Sequence, residues 1–379
     1  MALLDPAMKP LQLVPANDPI NALLALGNVL DGSQGLFITS PEVNGVLPEV
    51  HGLPEAVEEK VGLIVESSGS TGTPKRLELS AKALTAAAKM SAKRLGGNGQ
   101  WLLALPINFV AGAMVLVRSL IADTQPVLMN TSMPFTAEAF TRSASLMTGE
   151  RRYTSLVPTQ LDRLFQVLDS EPGLLEVLQR FDAILIGGQK PNRTTINALR
   201  KKDINIVTTY GMAETCGGVV YNGEPLDGVE ISILEDDRIA IESPTLASNV
   251  KRPYITSDLG QFTDGKLYVK GRADRVVVSG AHKLSLESVE EWTMKQAGVV
   301  SAAAVSTTHP KFGESFMCFL TLGDATSFDA AKAHFALGVV AKSGEWKVLE
   351  KLPTLMSGKP DLIELTELAA KLGGKVGQA

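Results

Sequence analysis

The chain has 379 residues, of which 45% are hydrophobic and 20% are charged. This composition is that of a globular protein, and at roughly 100 to 200 residues per domain the length predicts two domains. With 36 Lys and Arg against 41 Asp and Glu, the formal net charge is −5. Nucleic-acid-binding proteins need excess cations to displace counterions, so we expect a folded protein that binds no nucleic acid.

The cysteines, the N-terminus and the most apolar segment bear on where the protein works. Two cysteines, Cys216 and Cys318, give no disulfide framework, and no histidine stands at a metal-ligand spacing. The first ten residues lack the basic end and apolar run of a signal peptide. Residues 101–117 are apolar but include Pro106 and Gly112, which favours a strand, a turn and a helix. We therefore expect a cytoplasmic protein without stable membrane insertion.

Short apolar runs alternate with helical patterns between residues 61 and 210, which is typical of parallel sheets covered by helices. The predicted strands cover residues 61–65, 102–105, 126–129, 153–157, 183–186 and 204–208. A helix is predicted over residues 81–95, with Ser80 as its N-cap and Gly96 just after its end. In such folds the carboxyl ends of the strands bind ligands.

After residue 220 the pattern changes to β-hairpins, with turns at Asp236-Asp237 and Asp264-Gly265. A small α+β part follows, with helices predicted over 286–296 and 327–337 and strands over 299–306 and 316–320. The predicted fold class is therefore α/β. A large N-terminal domain, residues 1–271, combines mostly parallel sheets with a hairpin-rich part, and a small mobile α+β domain spans residues 272–379.

A loop rich in hydroxyls and glycine follows the first predicted strand. It consists of Ser67, Ser68, Gly69, Ser70, Thr71, Gly72, Thr73, Pro74 and Lys75. Hydroxyls, backbone amides and a lysine are the groups that a polyphosphate-binding loop needs. The spacing is not that of a Walker A loop, and a flexible surface loop is the alternative.

Three later segments carry side chains suited to nucleotide chemistry. In residues 208–215, Tyr210 could stack on a purine and Glu214 could ligate magnesium, although a helix start with an acidic first turn explains this segment better when it is taken alone. Asp258 could accept hydrogen bonds from a ribose diol or simply occupy a turn. Lys359 stands on a tight loop, where a lysine is usually just solvated.

Together these motifs resemble those of the AMP-forming acyl-CoA synthetase and adenylation family, over residues 61–379. The seven matching segments are residues 67–76 (T-S-G-[ST]-T-G-x-P-K-G), 105–112 (L-P-x-x-H-x-x-G), 187–189 (G-G-[AE]), 210–214 (Y-G-x-T-E), 254–258 (Y-x-T-G-D), 271–274 (the G-R-x-D hinge) and 353–359 (P-x-x-x-x-G-K). Seven motifs in register make chance similarity remote.

The resemblance implies a reaction in two halves, with ATP, Mg²⁺ and coenzyme A as cofactor and co-substrates. A carboxylate attacks the α-phosphorus of ATP to give an acyl-adenylate and pyrophosphate, and the thiol of coenzyme A then displaces AMP. By resemblance, residues 67–73 and Lys75 bind the phosphates, and Glu214 holds the magnesium. The implied adenine- and ribose-binding residues are Gly187, Gly188, Gln189, Tyr210, Gly211, Asp258 and Arg272.

The resemblance also assigns the remaining roles. Lys359 would bridge the acid and the α-phosphate, and Asp274 would be the hinge about which the C-terminal domain turns. Phe109, Thr159 and Gln160 would border the acyl pocket. Within the family, the short length and the segments 105–122 and 155–161 are similar to those of o-succinylbenzoate:CoA ligases of menaquinone biosynthesis.

Three departures from the family motifs leave alternatives open. Phe109 replaces a histidine, Ala213 a hydroxyl residue and Val278 a lysine. We expect Thr215, Thr73 or a water to supply the contact that Ala213 lacks. The alternative functions are another aryl- or acyl-CoA ligase and a nucleotide-binding homologue without catalysis, although the retained Lys359 and Glu214 argue against the latter.

Two further questions stay open at the level of the sequence. A second substrate carboxylate would need a cation, for which Arg118 and Arg163 are candidates, but an ordinary structural arginine explains each equally well. The small-molecule partners are the acid, ATP and coenzyme A, and a homo-oligomer is compatible with the sequence.

Overall fold

The structure is a computed structural model that describes residues 8–67, 75–279, 282–309, 313–323, 328–355 and 359–372. Its strands are β1 Met8–Pro15, β2 Gly35–Thr39, β3 Ala56–Glu58, β4 Leu63–Ser67, β5 Lys75–Leu79, β6 Gln100–Leu103, β7 Val127–Leu128, β8 Arg152–Leu156, β9 Ala183–Ile186, β10 Ile206–Met212, β11 Gly217–Tyr221, β12 Glu224–Pro225, β13 Glu230–Ile233, β14 Arg238–Glu242, β15 Tyr254–Thr263, β16 Lys266–Arg272, β17 Val276–Ser279, β18 His282–Ser285, β19 Val299–His309, β20 Gly313–Leu322 and β21 Glu345–Val348. Its α-helices are α1 Pro19–Leu30, α2 Ala81–Arg94, α3 Val110–Ile121, α4 Ala137–Ser145, α5 Pro158–Gln166, α6 Leu174–Gln179, α7 Arg193–Arg200, α8 Leu286–Met294, α9 Ala333–Leu337 and α10 Leu362–Lys371. Short 3₁₀ helices cover Ala213–Thr215, Ala273–Arg275 and Val339–Lys342.

Five of the six strands predicted before residue 210 lie in one seven-stranded sheet, in the order β12-β11-β10-β9-β8-β6-β7. The strands from β10 to β7 are parallel, and β11 and β12 add an antiparallel edge. The first predicted strand, β4, lies instead in a five-stranded sheet of order β3-β1-β2-β4-β5. A buried apolar run predicts a strand but not its neighbours, so the sequence could not separate the two sheets.

The predicted helix at residue 81 is α2, and its cap forms as expected: the Ala83 backbone N–H donates to Ser80 Oγ at 3.1 Å. The apolar segment 101–117 becomes β6, a turn and most of α3, as predicted. Its helical part is apolar on every side and lies against α1, α2 and β6, which explains why it lacks a polar face. Within the described ranges, no helix has the length and apolar character needed to cross a bilayer.

The second half of the chain contains a four-stranded sheet, β13-β14-β15-β16, and a five-stranded sheet, β18-β17-β20-β19 with β21 beside β20. Both predicted hairpin turns form, with positive φ at Asp237, Asp264 and Gly265. Residue 327 of the helix predicted over residues 327–337 lies outside the described residues. In the described part, 328–337, only α9 is helical, so the predicted extent is wrong. Asp329 Oδ1 accepts from the Ala331 backbone N–H, and this local turn competes with a helical start.

The chain divides into two compact units. The first contains residues 1–232, 240–255 and 262–267, and the second contains residues 233–239, 256–261 and 268–379. The predicted boundary after residue 271 and the hinge at Asp274 stay predictions. Each unit holds one free cysteine, and both are buried. Burial raises the pKa of Cys318 to about 12, and it also raises the pKa of Cys216.

Candidate active site

The predicted phosphate loop lies between two paired strands of the first unit. Ser67 ends β4, Lys75 begins β5, and these two residues are partners in the antiparallel register. Ser68, Gly69, Ser70, Thr71, Gly72 and Thr73 lie outside the described residues. Arg76, which departs from the family motif, donates to Glu66 Oε1 at 3.1 Å and to the carbonyls of His51 and Gly52 at 2.6 and 2.7 Å. The Arg76 guanidinium therefore connects the segment around residues 51–52, which precedes β3, to β4.

Glu214 is the point at which three distant motifs meet. Lys75 Nζ lies 4.0 Å from Glu214 Oε1, and Tyr254 Oη donates to the same oxygen at 3.1 Å. Lys75 Nζ is also 6.0 Å from the centroid of the Tyr254 ring. The Glu214 side chain is only 12% exposed, which is low for a carboxylate without a close ion pair. The structure thus joins the predicted phosphate lysine to the predicted magnesium ligand.

The turn that presents Glu214 is fixed by Thr215. The Met212 backbone N–H donates to Thr215 Oγ1 at 2.9 Å, and Thr215 Oγ1 donates to the Gly217 carbonyl at 2.7 Å. Thr215 is fully buried, and its hydroxyl serves the turn. This arrangement favours Thr73 or a water over Thr215 as the source of the contact that Ala213 lacks, and that expectation stays a prediction.

The predicted adenine-binding residues lie at the carboxyl ends of the neighbouring parallel strands β9 and β10. Gly187 and Gly211 lie where a neighbouring segment approaches too closely to leave room for a side chain. A Cβ at Gly187 would lie 2.4 Å from Thr209 Oγ1, and one at Gly211 would lie 2.0 Å from the Gly217 carbonyl oxygen. Gly188 has a φ of +84°, which favours glycine. Gln189 and Tyr210 are half-buried at the same edge of the sheet.

The predicted acyl-pocket residues follow β6 and β8 at this edge. Phe109 precedes the first turn of α3, and a Cβ at Gly112 would lie 2.2 Å from the Pro106 carbonyl oxygen. Thr159 is exposed. Gln160 Oε1 accepts from the Val157 N–H at 3.1 Å, and its Nε2 donates to the Ala104 carbonyl at 2.9 Å. These two bonds join the ends of β6 and β8 and favour a structural role for Gln160.

The two arginines considered for a second carboxylate lie elsewhere. Arg118 is 7% exposed, and its guanidinium carbon lies 4.9 Å from the centroid of the Trp101 ring. With Tyr153 it lines a cavity of about 10 Å³ at the amino ends of β6 and β8, opposite the predicted ligand-binding edge. Arg163 Nη1 donates to the Phe135 carbonyl at 3.5 Å on the surface. Neither position supports binding of an acid at the carboxyl edge.

In the second unit, four predicted residues form a charged cluster. Arg272 donates to both carboxylate oxygens of Asp274, at 2.8 and 2.5 Å, and lies 3.4 Å from Asp258 Oδ1. Asp258 is 14% exposed. Burial lowers the pKa of Lys359; the nearby Arg272 guanidinium lowers it further, and Asp258 opposes both. Lys359 thus lies near the predicted ribose-binding pair, while Met356, Ser357 and Gly358 lie outside the described residues.

Comparison with known proteins identifies the family. A family model described as "AMP-binding enzyme" matches residues 25–273. The chain belongs to the AMP-binding enzyme family. It is 36% identical to a probable 2-succinylbenzoate–CoA ligase of Mycobacterium tuberculosis (strain H37Rv), over 92% of this chain and 95% of that one. It is 27% identical to a 2-succinylbenzoate–CoA ligase of Lactococcus lactis subsp. lactis (strain IL1403), over 70% of this chain and 61% of that one.

Solved structures share the fold of this AMP-binding enzyme. An o-succinylbenzoate CoA synthetase from Bacillus subtilis, in complex with an acyl-adenylate intermediate, has a TM-score of 0.71 at 22% identity, covering 92% of this chain and 81% of that one. ATP-bound MatB from Rhodopseudomonas palustris has a TM-score of 0.71 at 19% identity, covering 89% and 75%. The predictions of the family, of the α/β fold class and of an enzyme are confirmed. The relatives' names agree with the predicted ligase class.

The donor set at Glu214 fits the magnesium that this family implies. Among the described residues, no three His, Cys, Asp or Glu side chains cluster as a metal site would require. Mg²⁺ in nucleotide-binding enzymes, however, takes one or two protein carboxylates and completes its shell with phosphates and waters. A single, nearly buried carboxylate beside a phosphate-loop lysine is therefore a suitable ligand.

Tyr254 is the site residue that the sequence did not single out. In the sequence it is only the first residue of the segment 254–258, in which Asp258 carries the expected role. Its contact with Glu214 joins β15 to the turn after β10, and no local pattern in the sequence predicts such a long-range pair. The position of both residues in consecutive family motifs is the one signal that would have suggested it.

Proposed function

We propose that this enzyme activates o-succinylbenzoate as its acyl-adenylate and then transfers the acyl group to coenzyme A, as in menaquinone biosynthesis. The observation that carries the activation step is the meeting of Lys75 and Glu214 at 4.0 Å, since these residues come from separate motifs. A lysine and a magnesium-binding carboxylate at one point are what ATP phosphates require. The acid and coenzyme A are supported by the names of the relatives from M. tuberculosis and L. lactis.

The first half-reaction is mainly an electrostatic problem. A substrate carboxylate oxygen forms a bond to the α-phosphorus while the bond to the pyrophosphate oxygen breaks. The carboxylate is already ionised at neutral pH, so no general base is needed. Lys75 and the phosphate loop would hold the β- and γ-phosphates. Magnesium held by Glu214 would supply further neutralisation of phosphate charge.

The cluster of the second unit would act on the rest of the nucleotide. Asp258 would accept hydrogen bonds from the ribose hydroxyls, with Arg272 holding its carboxylate. Lys359 would lie against the α-phosphate and the attacking carboxylate, where its positive charge stabilises the transition state. In the second half-reaction the coenzyme A thiolate attacks the acyl carbon and AMP leaves, a step that needs no charge from Lys359. Asp274 remains the proposed hinge between these two states.

The cellular setting follows from the same proposal. The two cysteines are free, which suits a reducing compartment, and we propose the cytoplasm.

The test is an assay of the purified enzyme against a panel of acids. ATP, Mg²⁺ and coenzyme A would be supplied with o-succinylbenzoate, benzoate, malonate or acetate, and AMP, pyrophosphate and thioester would be measured. We expect kcat/KM for o-succinylbenzoate to exceed that for the other acids by at least about 100-fold, or roughly 3 kcal/mol. Preference for another acid would keep the ligase and reject the substrate. No pyrophosphate with any acid would favour a non-catalytic homologue, which the departures at Phe109, Ala213 and Val278 support.

A further inference from the structure

We infer that Tyr254 is a positioning residue for the metal-binding carboxylate, which it orients by donating a hydrogen bond to Glu214. The inference deepens the proposed function, because it rests on Glu214 as the magnesium ligand. Its subject is a residue to which no role was assigned by the motifs. Tyr254 would touch neither nucleotide nor acid, and would act only through Glu214.

Among the described residues, the side-chain contacts of Glu214 end on one of its two carboxylate oxygens. Tyr254 Oη donates to Oε1 at 3.1 Å, and Lys75 Nζ approaches the same atom to 4.0 Å. Among the described residues, no hydrogen bond or ion pair ends on Oε2. A carboxylate held at one oxygen presents the other in a fixed direction. Oε2 is therefore the atom that faces a ligand, and Tyr254 determines where it points.

The backbone around Glu214 is held by hydrogen bonds, which leaves the torsions of its side chain to be fixed. The Ala247 backbone N–H donates to the Glu214 carbonyl at 2.8 Å, and the buried Thr215 hydroxyl closes the turn. A glutamate still has three side-chain torsions, and ordering them opposes metal binding. The Tyr254 phenol orders these torsions before a metal binds. The position of its ring is in turn set by β15, of which Tyr254 is the first residue.

Because residue 213 is an alanine, the Tyr254 hydroxyl is more important in this chain. Ala213 brings no oxygen to the site, and the Thr215 hydroxyl is used within the turn. Among the described residues, the phenol of Tyr254 is thus the hydroxyl that contacts the Glu214 carboxylate. Lys75 orients this carboxylate less well than Tyr254 does, because Lys75 Nζ lies 4.0 Å from Glu214 Oε1, which is beyond hydrogen-bond distance.

The experiment compares Tyr254→Phe with Tyr221→Phe by calorimetric ATP titration, with magnesium and in EDTA. Tyr221 is a matched control because its hydroxyl is also hydrogen-bonded, to Ser91 at 2.7 Å, but is buried in the core. For Tyr254→Phe we expect the magnesium-dependent gain in ATP affinity to fall about tenfold, the effect of one charge-assisted hydrogen bond, with affinity in EDTA unchanged. Tyr221→Phe should keep the wild-type ATP affinity in EDTA and the wild-type gain in affinity with magnesium.

A second measurement is the magnesium dependence of pyrophosphate release. Tyr254→Phe should need about tenfold more free Mg²⁺ for half-maximal rate and recover most of the wild-type rate when Mg²⁺ saturates. In a Glu214→Gln background, Tyr254→Phe should have no further effect on magnesium-dependent ATP binding, since both changes remove the same function. This double variant separates positioning from a general effect on folding.

Two outcomes would overturn the inference. One is an unchanged magnesium dependence in folded Tyr254→Phe. The other is an equal loss of ATP affinity in magnesium and in EDTA, which would make Tyr254 a direct nucleotide contact. Failure of the proposed function is distinguishable, because the wild-type protein itself would then show no magnesium-dependent ATP binding.

Discussion

Asp258 and Arg272 illustrate how a single contact can support a binding role. The Asp258 carboxylate is 14% exposed and lies 3.4 Å from Arg272 Nη1, so the guanidinium can hold it ready to accept from a diol. The ribose is present in ATP, in the adenylate and in AMP. A contact between Asp258 and the ribose would therefore contribute to binding throughout the reaction rather than in the transition state alone.

We predict that Asp258→Asn weakens the binding of both ATP and AMP by roughly 10- to 100-fold, the range for hydrogen bonds to a charged group. Calorimetric titration with each nucleotide measures this. The control is Asp236→Asn, whose carboxylate pairs with Arg238 at 2.6 Å on the surface and should leave both affinities unchanged. Equal AMP affinity in folded wild-type and Asp258→Asn protein would show that the ribose lies elsewhere.

Lys359 should matter in one half-reaction only. We predict that Lys359→Ala slows adenylate formation by about 10²- to 10³-fold, as loss of a group that stabilises developing charge does. ATP binding should persist, since the proposed phosphate-binding residues belong to the first unit. Thioester formation from preformed acyl-adenylate and coenzyme A should keep its rate. Rapid-quench assays of the two halves test this, and similar losses in both would leave Lys359 with a structural role.

The environment of Lys359 also predicts a pH dependence. Burial and the Arg272 charge lower its pKa from the ordinary 10.5. Adenylation would need the charged form of Lys359, so kcat/KM should decline with rising pH before pH 10.5 is reached, and the residual rate of Lys359→Ala should lack that decline.

The same lowered pKa affects the free energy of unfolding in the opposite direction. The unfolded chain binds this proton more tightly, so Lys359 contributes to a free energy of unfolding that rises with pH between the folded and unfolded pKa values.

At the scale of elements, an ion cluster fixes the start of the C-terminal α+β part. Arg275 follows the predicted hinge residue, and its Nη2 lies 2.7 Å from Glu290 Oε1 and 2.8 Å from the Ala304 carbonyl. Its Nη1 lies 3.4 Å from Glu287 Oε1. One side chain thus connects the turn at residues 273–275 to α8 and β19. Burial raises the pKa of Glu290, and Arg275 acts against that rise.

We predict that Arg275→Ala lowers the free energy of unfolding of the second unit by about 3 kcal/mol, because it leaves two mostly buried carboxylates, each 20% exposed, without their cation. Lys295→Ala, which breaks an exposed i,i+4 pair with Glu291, should cost no more than about 0.5 kcal/mol. Urea unfolding followed by tryptophan fluorescence can report on this unit, which holds Trp292 and Trp346. Equal midpoints for the two variants would contradict the prediction.

The elements also show what the sequence could and could not predict. The helix α2 was predictable because an N-cap, a helical period and two glycines agree, and the hairpin at Asp264-Gly265 because its turn chemistry is local. The strands β1, β2 and β5 were missed. β5 is short and mostly polar in sequence, and it is a strand because it pairs with β4. Pairing between segments is a tertiary property that overrides weak local propensity.

For the candidate site, motifs with a fixed spacing name residues that the structure brings together, whereas contacts between motifs could not be predicted. Lys75, Glu214, Asp258, Arg272 and Lys359 were named from their motifs, and the structure groups them into two clusters. Tyr254 and the turn-closing role of Thr215 depend on hydrogen bonds that only the folded chain defines.

For the molecule as a whole, the charge balance constrains how the proposed substrates bind. The chain has a net charge of −5, and ATP, a carboxylic acid and coenzyme A are all anions. The net charge of the chain gives these anions no overall attraction, so local cations are needed to bind them. Lys75, Arg272 and Lys359 are those cations among the predicted site residues. This arrangement makes binding depend on a few side chains rather than on the overall field.

The burial of both cysteines has a practical consequence for work with a thiol substrate. Cys216 and Cys318 are the only sulfhydryls of the chain, and each has 0% exposure. Only the thiolate attacks a disulfide, and burial keeps both thiols protonated at neutral pH. A chromogenic disulfide such as dithiobis-nitrobenzoate should therefore titrate free coenzyme A in a running assay without labelling the native enzyme. Colour from enzyme alone would report the fraction of chains that have unfolded.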